Sequence, residues 1–138
     1  MSWKEKVKEF GGGDLSFLSE DGEVICFVVC GEPILLEGKF KGKLSEKVGC
    51  PVVTEYGFSL LIVGKRLFRK IAKREDGFDK DGYMAIRHGE QGDITATYDL
   101  KVLDNSELVK RLFEVKKKQF KKEMIAEAVI AAQDVMNQ

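Results

Sequence analysis

Strand-length apolar segments fill most of residues 23–103, and this pattern constrains the fold more than any other feature of the chain. The segment EVICFVVCG is continuously apolar, as in a strand buried on both faces. In ITATYDLKVL, apolar and polar side chains alternate, as in a strand with one face toward a core. Helix spacing replaces this pattern once, in GKRLFRKIAKRE, where apolar side chains oppose a row of cations. The strand segments are residues 23–31, 34–42, 50–63, 83–88 and 94–103, and we expect the third to bend or to pair with itself around Tyr56 and Gly57.

The order of these segments predicts a small β-barrel. Three β segments precede the helix at 64–75, two follow it, and a long helix runs from Ser106 nearly to the end. Because no βαβ repeat occurs, a parallel doubly wound sheet is disfavoured. Five strands with a helix between the third and fourth is the order of an oligonucleotide-binding (OB) fold. We expect a mainly β OB barrel in residues 1–104, with a short N-terminal helix at 2–10, and an amphipathic helix in residues 105–138.

Charge is balanced over the chain but not along it. The 138 residues contain 23 Lys and Arg and 23 Asp and Glu, for a formal net charge of zero. Residues 38–74, however, hold ten basic side chains against the two acidic ones of Glu46 and Glu55. This asymmetry predicts a local positive surface suited to a polyanion. No apolar run approaches the ~20 residues of a membrane helix, so we expect a cytoplasmic protein of a bacterial, archaeal or virus-infected cell.

Catalytic and metal-binding patterns are weak. The single imidazole, His88, has no nucleophile motif to serve as its partner. Three cysteines and His88 match zinc in number, but the cysteines lie in apolar strand segments without a CxxC knuckle, so reduced core thiols are favoured. A metal-dependent nuclease using Asp93 and Glu90 is a weaker alternative, since two turn carboxylates are usually solvated. We therefore expect a protein that is not an enzyme and has no cofactor.

Cations interleaved with aromatic rings favour binding of single-stranded nucleic acid, because cations track phosphates and exposed rings stack on bases. Several rings have a plainer interpretation: Phe40 and Phe58 alternate with aliphatic residues and suit a core, and Arg87 could pair with Asp93 or Glu90. The predicted binding residues are Lys39, Phe40, Lys41, Lys43, Tyr56, Phe58, Arg66, Arg69, Arg87, His88, Tyr98 and Lys101.

Two separated stretches carry a family resemblance. FLSEDGEVICFVVCGEP and YMAIRHGEQGDITATYDL resemble bacteriophage-type single-stranded DNA-binding proteins of the OB fold, over roughly residues 15–103. The matching positions are Arg87, Gly89, Thr95 or Thr97, and Tyr98. The resemblance implies a protein that coats single-stranded DNA in replication or recombination, largely without sequence preference. The chain departs from that group in its neutral charge and in its terminus QDVMNQ, which lacks an acidic tail for recruiting replication partners.

The C-terminal helix predicts self-association. A helix of ~30 residues would extend about 45 Å, longer than a small barrel can cover, so its apolar stripe suits packing between subunits. The alternative is a helix folded back along its own barrel. A protein adaptor that assembles through this helix is the main alternative function, and single-stranded RNA is an alternative ligand. The predicted oligomer contacts are Phe113, Phe120, Met124, Ile125, Val129, Ala131 and Val135.

Overall fold

The protein is a mainly antiparallel β-sheet with helices on both faces. The computed structural model describes residues 15–40 and 43–137; the predicted helix at 2–10 lies outside this part. The described elements are β1 Leu15–Phe17, β2 Val24–Val29, β3 Ile34–Phe40, β4 Lys43–Thr54, β5 Gly57–Val63, α1 Lys65–Ala72, β6 Tyr83–His88, β7 Thr97–Val102, α2 Ser106–Gln119 and α3 Glu123–Met136. In this part of the chain no helix is long and apolar enough to cross a membrane.

The long strand β4 is the centre of the sheet. One of its edges pairs with β5, and the other is shared by β3 and β2. β1 adds in parallel outside β5, while β6 and β7 extend the sheet beyond β2. The strand path β1-β5-β4-β2-β6-β7 is open across the described residues. The order of strand segments and the position of α1 follow the sequence prediction at this coarse level.

The described part contains seven strands, whereas the sequence predicts five. One extra strand arises because the segment at 50–63 folds back on itself. Gly57 adopts a φ of 116°, which a side chain would disfavour, and the Thr54 hydroxyl donates to the Gly57 carbonyl at 3.3 Å. The other, β1, has three residues, too few to show a period of two.

Both faces of the sheet are buried, which explains the continuous apolar segments. On one face, side chains such as Phe27, Val52 and Leu61 pack with Leu67 and Ile71 of α1. The opposite face holds two further clusters. Leu112 of α2 packs on Val28 and Val53, and two alanines of α3, Ala128 and Ala132, pack on Leu36 and Leu60.

The prediction of one continuous C-terminal helix is wrong. The chain leaves helical geometry at Phe120, which has ψ 133°, and α3 begins at Glu123. The ring of Phe120 stacks on Phe58 with centroids 5.6 Å apart, and this contact with the sheet compensates for the interrupted helix. Both helices therefore fold back on their own sheet, as in the alternative interpretation of the sequence.

The predicted oligomer stripe is divided by this packing. Phe113 and Phe120 join the cluster around Leu112, and Val129 joins the cluster around Ala128. Met124 and Ile125 are half-buried, whereas Ala131 and Val135 are exposed. Most of the stripe thus serves the intramolecular core. Ala128 and Ala132, which were not predicted as oligomer contacts, allow α3 to approach the sheet closely.

Candidate nucleic-acid interface

Helix α1 presents a continuous cationic surface. Its apolar residues Leu67 and Ile71 are buried against the sheet, so the charged side chains face outward. Residues 65–74 contain six cations and no acid. Two of them, Lys65 and Arg66, occupy the first turn, where the helix dipole disfavours positive charge. All six are exposed: Lys65, Arg66, Arg69, Lys70, Lys73 and Arg74.

Few of these cations are neutralised. Among the described residues, the ion pair involving this helix joins Nζ of Lys65 to Oε2 of Glu46 at 2.9 Å. Lys70 donates to the backbone carbonyl of Tyr98 on β7. Lys70, Lys73 and Arg74 line a cleft between α1 and β7 whose other walls are Asp99 and Leu100. The surface therefore has free positive charge available to an anionic ligand.

The β3–β4 hairpin lies beside the start of α1. β5 pairs with β4 from Val48 onward, so residues 43–47 of β4 extend past the end of β5. The Lys65–Glu46 ion pair ties α1 to this extension. Lys39, Lys43 and Lys47 are exposed on the hairpin. We call the six cations of residues 65–74 together with Lys39 the basic surface.

Register divides the hairpin lysines between its two faces. Lys39 lies two residues from Glu37, which pairs with Glu46, so Lys39 shares the face that meets α1. Lys43 and Lys47 lie on the other face. Lys41 and the side chain of Phe40, both predicted to bind, lie outside the described residues.

The structure contradicts the predicted binding role of Arg87. Its side chain is 7% exposed, and its N–H groups donate hydrogen bonds within the protein. Its Nη1 donates to the Tyr98 hydroxyl at 2.6 Å, Nε to the Gly89 carbonyl at 2.9 Å, and Nη2 to the Glu90 carbonyl at 2.7 Å. Arg87 thus binds the turn that follows it, where Gly89 has a φ of 131°. This guanidinium holds the β6–β7 hairpin together rather than offering charge to phosphate.

The predicted aromatic platforms are mostly covered. Phe58 lies under Phe120, and Tyr98 packs half-buried beside the core around Phe27. Tyr56, at the tip of the β4–β5 hairpin, is 90% exposed. The predicted binding residues therefore do not form one continuous surface. Phe58 is covered because removing an apolar ring from water is favourable.

His88 and Lys101 are exposed on the face of the β6–β7 hairpin opposite Arg87 and Tyr98. Nε2 of His88 lies 2.8 Å from Oδ2 of Asp99, so the nearest charge to the imidazole is negative. Strand alternation places both side chains on the face of the hairpin opposite the one that packs on α1, although Asp99 itself lines the cleft beside α1.

Sequence reasoning left four cations out of the predicted set. Lys65, Lys70, Lys73 and Arg74 belong to the basic surface. Their signal was present in the charge asymmetry of residues 38–74 and in the outward face of the helical segment. The clustering of basic side chains was thus a better guide than the choice of individual residues.

The weaker chemical alternatives also have structural explanations. Asp93 accepts hydrogen bonds from the hydroxyl and amide of Thr95, and these bonds lower the pKa of its carboxyl. Burial raises the pKa of the Cys30 and Cys50 thiols to about 12, which disfavours a thiolate nucleophile. Within residues 15–40 and 43–137, no group of three or more His, Cys, Asp or Glu side chains is placed to hold a metal ion.

No protein-family model matches the chain, and no curated protein or solved structure is significantly similar to it.

Proposed function

We propose that the protein binds single-stranded DNA, largely without sequence preference, and that the basic surface contacts the phosphates. The observation that carries this proposal is the segment 65–74, with six exposed cations and no acid. The placement of Lys65 and Arg66 in the first turn of α1 opposes the helix dipole, so the dipole does not account for it. A phosphate ligand would use this charge directly.

We also propose that the sheet curls toward an OB barrel. Helix α1 lies between β5 and β6 in the chain and packs on the face that carries Phe27 and Leu61. The segment after β1 reaches strand β6, because Nη1 of Arg87 lies 3.5 Å from the Leu18 carbonyl. These contacts support a partly closed sheet with α1 at one end of its core. In an OB fold, such a sheet carries single strands on its outer surface.

Fluorescence anisotropy with a labelled oligothymidine at low salt tests the binding. We expect saturable binding at micromolar protein or below, with unlabelled single strands competing better than duplex of the same length. An oligouridine competitor distinguishes RNA from DNA. No binding, or equal competition by duplex, would contradict the proposal.

A double charge reversal tests whether the nucleic acid binds at α1. Arg66→Glu with Arg69→Glu should weaken binding at least about tenfold, because two phosphate contacts become repulsive. Lys80→Glu with Lys110→Glu makes the same change in net charge at exposed positions that are not part of the basic surface. Equal weakening by both pairs would show a general charge effect and would remove the assignment to α1.

We infer a second candidate, a non-catalytic adaptor that associates with further copies of itself through α3. The observation that favours it is the exposure of two large apolar side chains on this helix, Ile130 at 66% and Val135 at 44%. Light scattering after size exclusion should then give a mass above that of one chain, and Ile130→Glu should lower it. The α1 charge reversal should leave this assembly intact.

A further inference from the structure

The tip of the β4–β5 hairpin is fixed against the end of α2. Oε2 of Glu55 lies 3.6 Å from Nη1 of Arg111, and Phe58 stacks on Phe120. A Cβ at Gly57 would lie 3.3 Å from Oε1 of Gln119, so the backbone of the tip lies directly against α2. Residues far apart in the sequence thus meet at one place.

This junction combines an exposed ring with a dense group of cations. Tyr56 is 90% exposed beside these contacts. Residues 116–122 contain five lysines and no acid. Lys116 is used internally, with its Nζ above the ring of Phe113, but Lys117, Lys118, Lys121 and Lys122 are exposed. We call Tyr56 and these four lysines the junction surface.

From this arrangement, we propose that the junction surface is a second contact for single-stranded nucleic acid, in which a base stacks on Tyr56 and the lysines bind the adjoining phosphates. The inference rests on the proposed function and adds a binding site to it. Stacking on an exposed ring tolerates every base, and neighbouring cations hold the backbone beside it. The Tyr56 side chain is 90% exposed, so its ring is free to stack on a base.

The two surfaces lie at opposite ends of β5. The junction surface is at its first residue, and α1 begins just after its last, so the seven residues of β5 separate them by roughly 20 Å. A strand long enough to reach both would bind the second surface at high effective concentration. An oligothymidine of ~16 nucleotides should therefore bind much more tightly than one of ~4.

A pair of tyrosine variants tests the stacking contact. Tyr56→Ala should weaken binding of the long oligothymidine at least about fivefold, whereas Tyr56→Phe keeps the ring and should retain the affinity. Ultraviolet crosslinking followed by mass spectrometry should join thymine to Tyr56 and not to the half-buried Tyr98. Equal affinity of the alanine variant and the unaltered protein would overturn the inference.

A lysine variant tests the phosphate contacts. Lys118→Glu with Lys121→Glu should weaken binding by at least about tenfold, and the exposed control pair Lys80→Glu with Lys110→Glu should do so far less. If the unaltered protein binds and the α1 reversal weakens it, but the Tyr56 and junction lysine variants bind normally, only this inference fails. If the unaltered protein binds no oligonucleotide, both the proposed function and the inference fail.

Discussion

At the scale of single residues, burial decides which charged and aromatic side chains can meet a ligand. Arg87 and Arg69 have the same chemistry, yet one is inside the protein with its hydrogen bonds satisfied and the other is on the outside of α1. Phe58 and Tyr56 differ in the same way, two residues apart on one hairpin. The buried guanidinium of Arg87 is tolerated because carbonyl and hydroxyl oxygens surround it.

Replacing Arg87 should destabilise the fold. Arg87→Met removes charged donors from the carbonyls of Gly89 and Glu90 and from the Tyr98 hydroxyl, and we expect the free energy of unfolding to fall by about 2–4 kcal/mol. Urea denaturation followed by circular dichroism measures it. Arg69→Met, on the exposed side of α1, is the matched control and should change stability by less than about 0.5 kcal/mol. Equal midpoints for the two variants would contradict a structural role for Arg87.

The buried thiols predict a loss of stability in alkali. Burial raises the pKa of Cys30 and Cys50 from 9.0 to about 12, so above pH 9 the unfolded chain releases protons that the folded chain keeps. The free energy of unfolding should therefore fall as the pH rises from 9 toward 12 and be unaffected by these groups at lower pH. Urea denaturation at several pH values measures the slope. Cys30→Ala with Cys50→Ala should flatten it; an unchanged slope would assign the effect to other groups, such as Tyr83, whose pKa burial also raises.

At the scale of elements, close approach of backbones attaches the C-terminal helices to the sheet. Ala128 and Ala132 bring α3 close to Leu36 and Leu60. Gly38 of β3 lies against the backbone of Met136 at the end of the same helix. Small side chains at these positions are therefore required for α3 to pack on its own sheet rather than stand away from it.

Adding one methyl group at this contact should detach the end of α3. In Gly38→Ala, the new Cβ overlaps the backbone of Met136, and we expect a loss of about 1–3 kcal/mol in the free energy of unfolding. Gly64→Ala is the control, since its Cβ would find Nζ of Lys47 at 3.9 Å as its nearest neighbour. The control should cost less than about 1 kcal/mol. Similar thermal midpoints for both variants would count against the packing described here.

At the scale of the whole molecule, a neutral chain carries strongly polarised surfaces. The segment 65–74 has six cations and no acid, whereas α3 has Glu123, Glu127 and Asp134 and no Lys or Arg. Net charge therefore says little about the field that a ligand meets at either surface. The neutral composition does not conflict with binding of a polyanion at α1.

Salt dependence should reveal this local field. If Arg66, Arg69, Lys73 and Arg74 each bind a phosphate, the logarithm of the affinity should fall against the logarithm of salt concentration with a slope of about −2.8 or steeper. Anisotropy titrations at several salt concentrations measure it. The Arg66→Glu and Arg69→Glu pair should reduce the slope by at least about 1.4. Affinity independent of salt would contradict phosphate binding by the basic surface.

The sequence by itself determined β2, β3, β6 and β7, the order of these strands, the position of α1 and its outward cations, because these depend on local periodicity and on which residues are polar. The tertiary structure alone decided that Arg87 is buried, that Phe58 is covered and that the C-terminal helix is broken. Each depends on partners distant in the chain: Tyr98 for Arg87, Phe120 for Phe58, and the sheet for α2 and α3. The position of the Tyr56 hairpin tip beside residues 116–122 likewise depends on contacts between distant parts of the chain. Periodicity specifies which side of an element faces a core, but it does not specify what lies there.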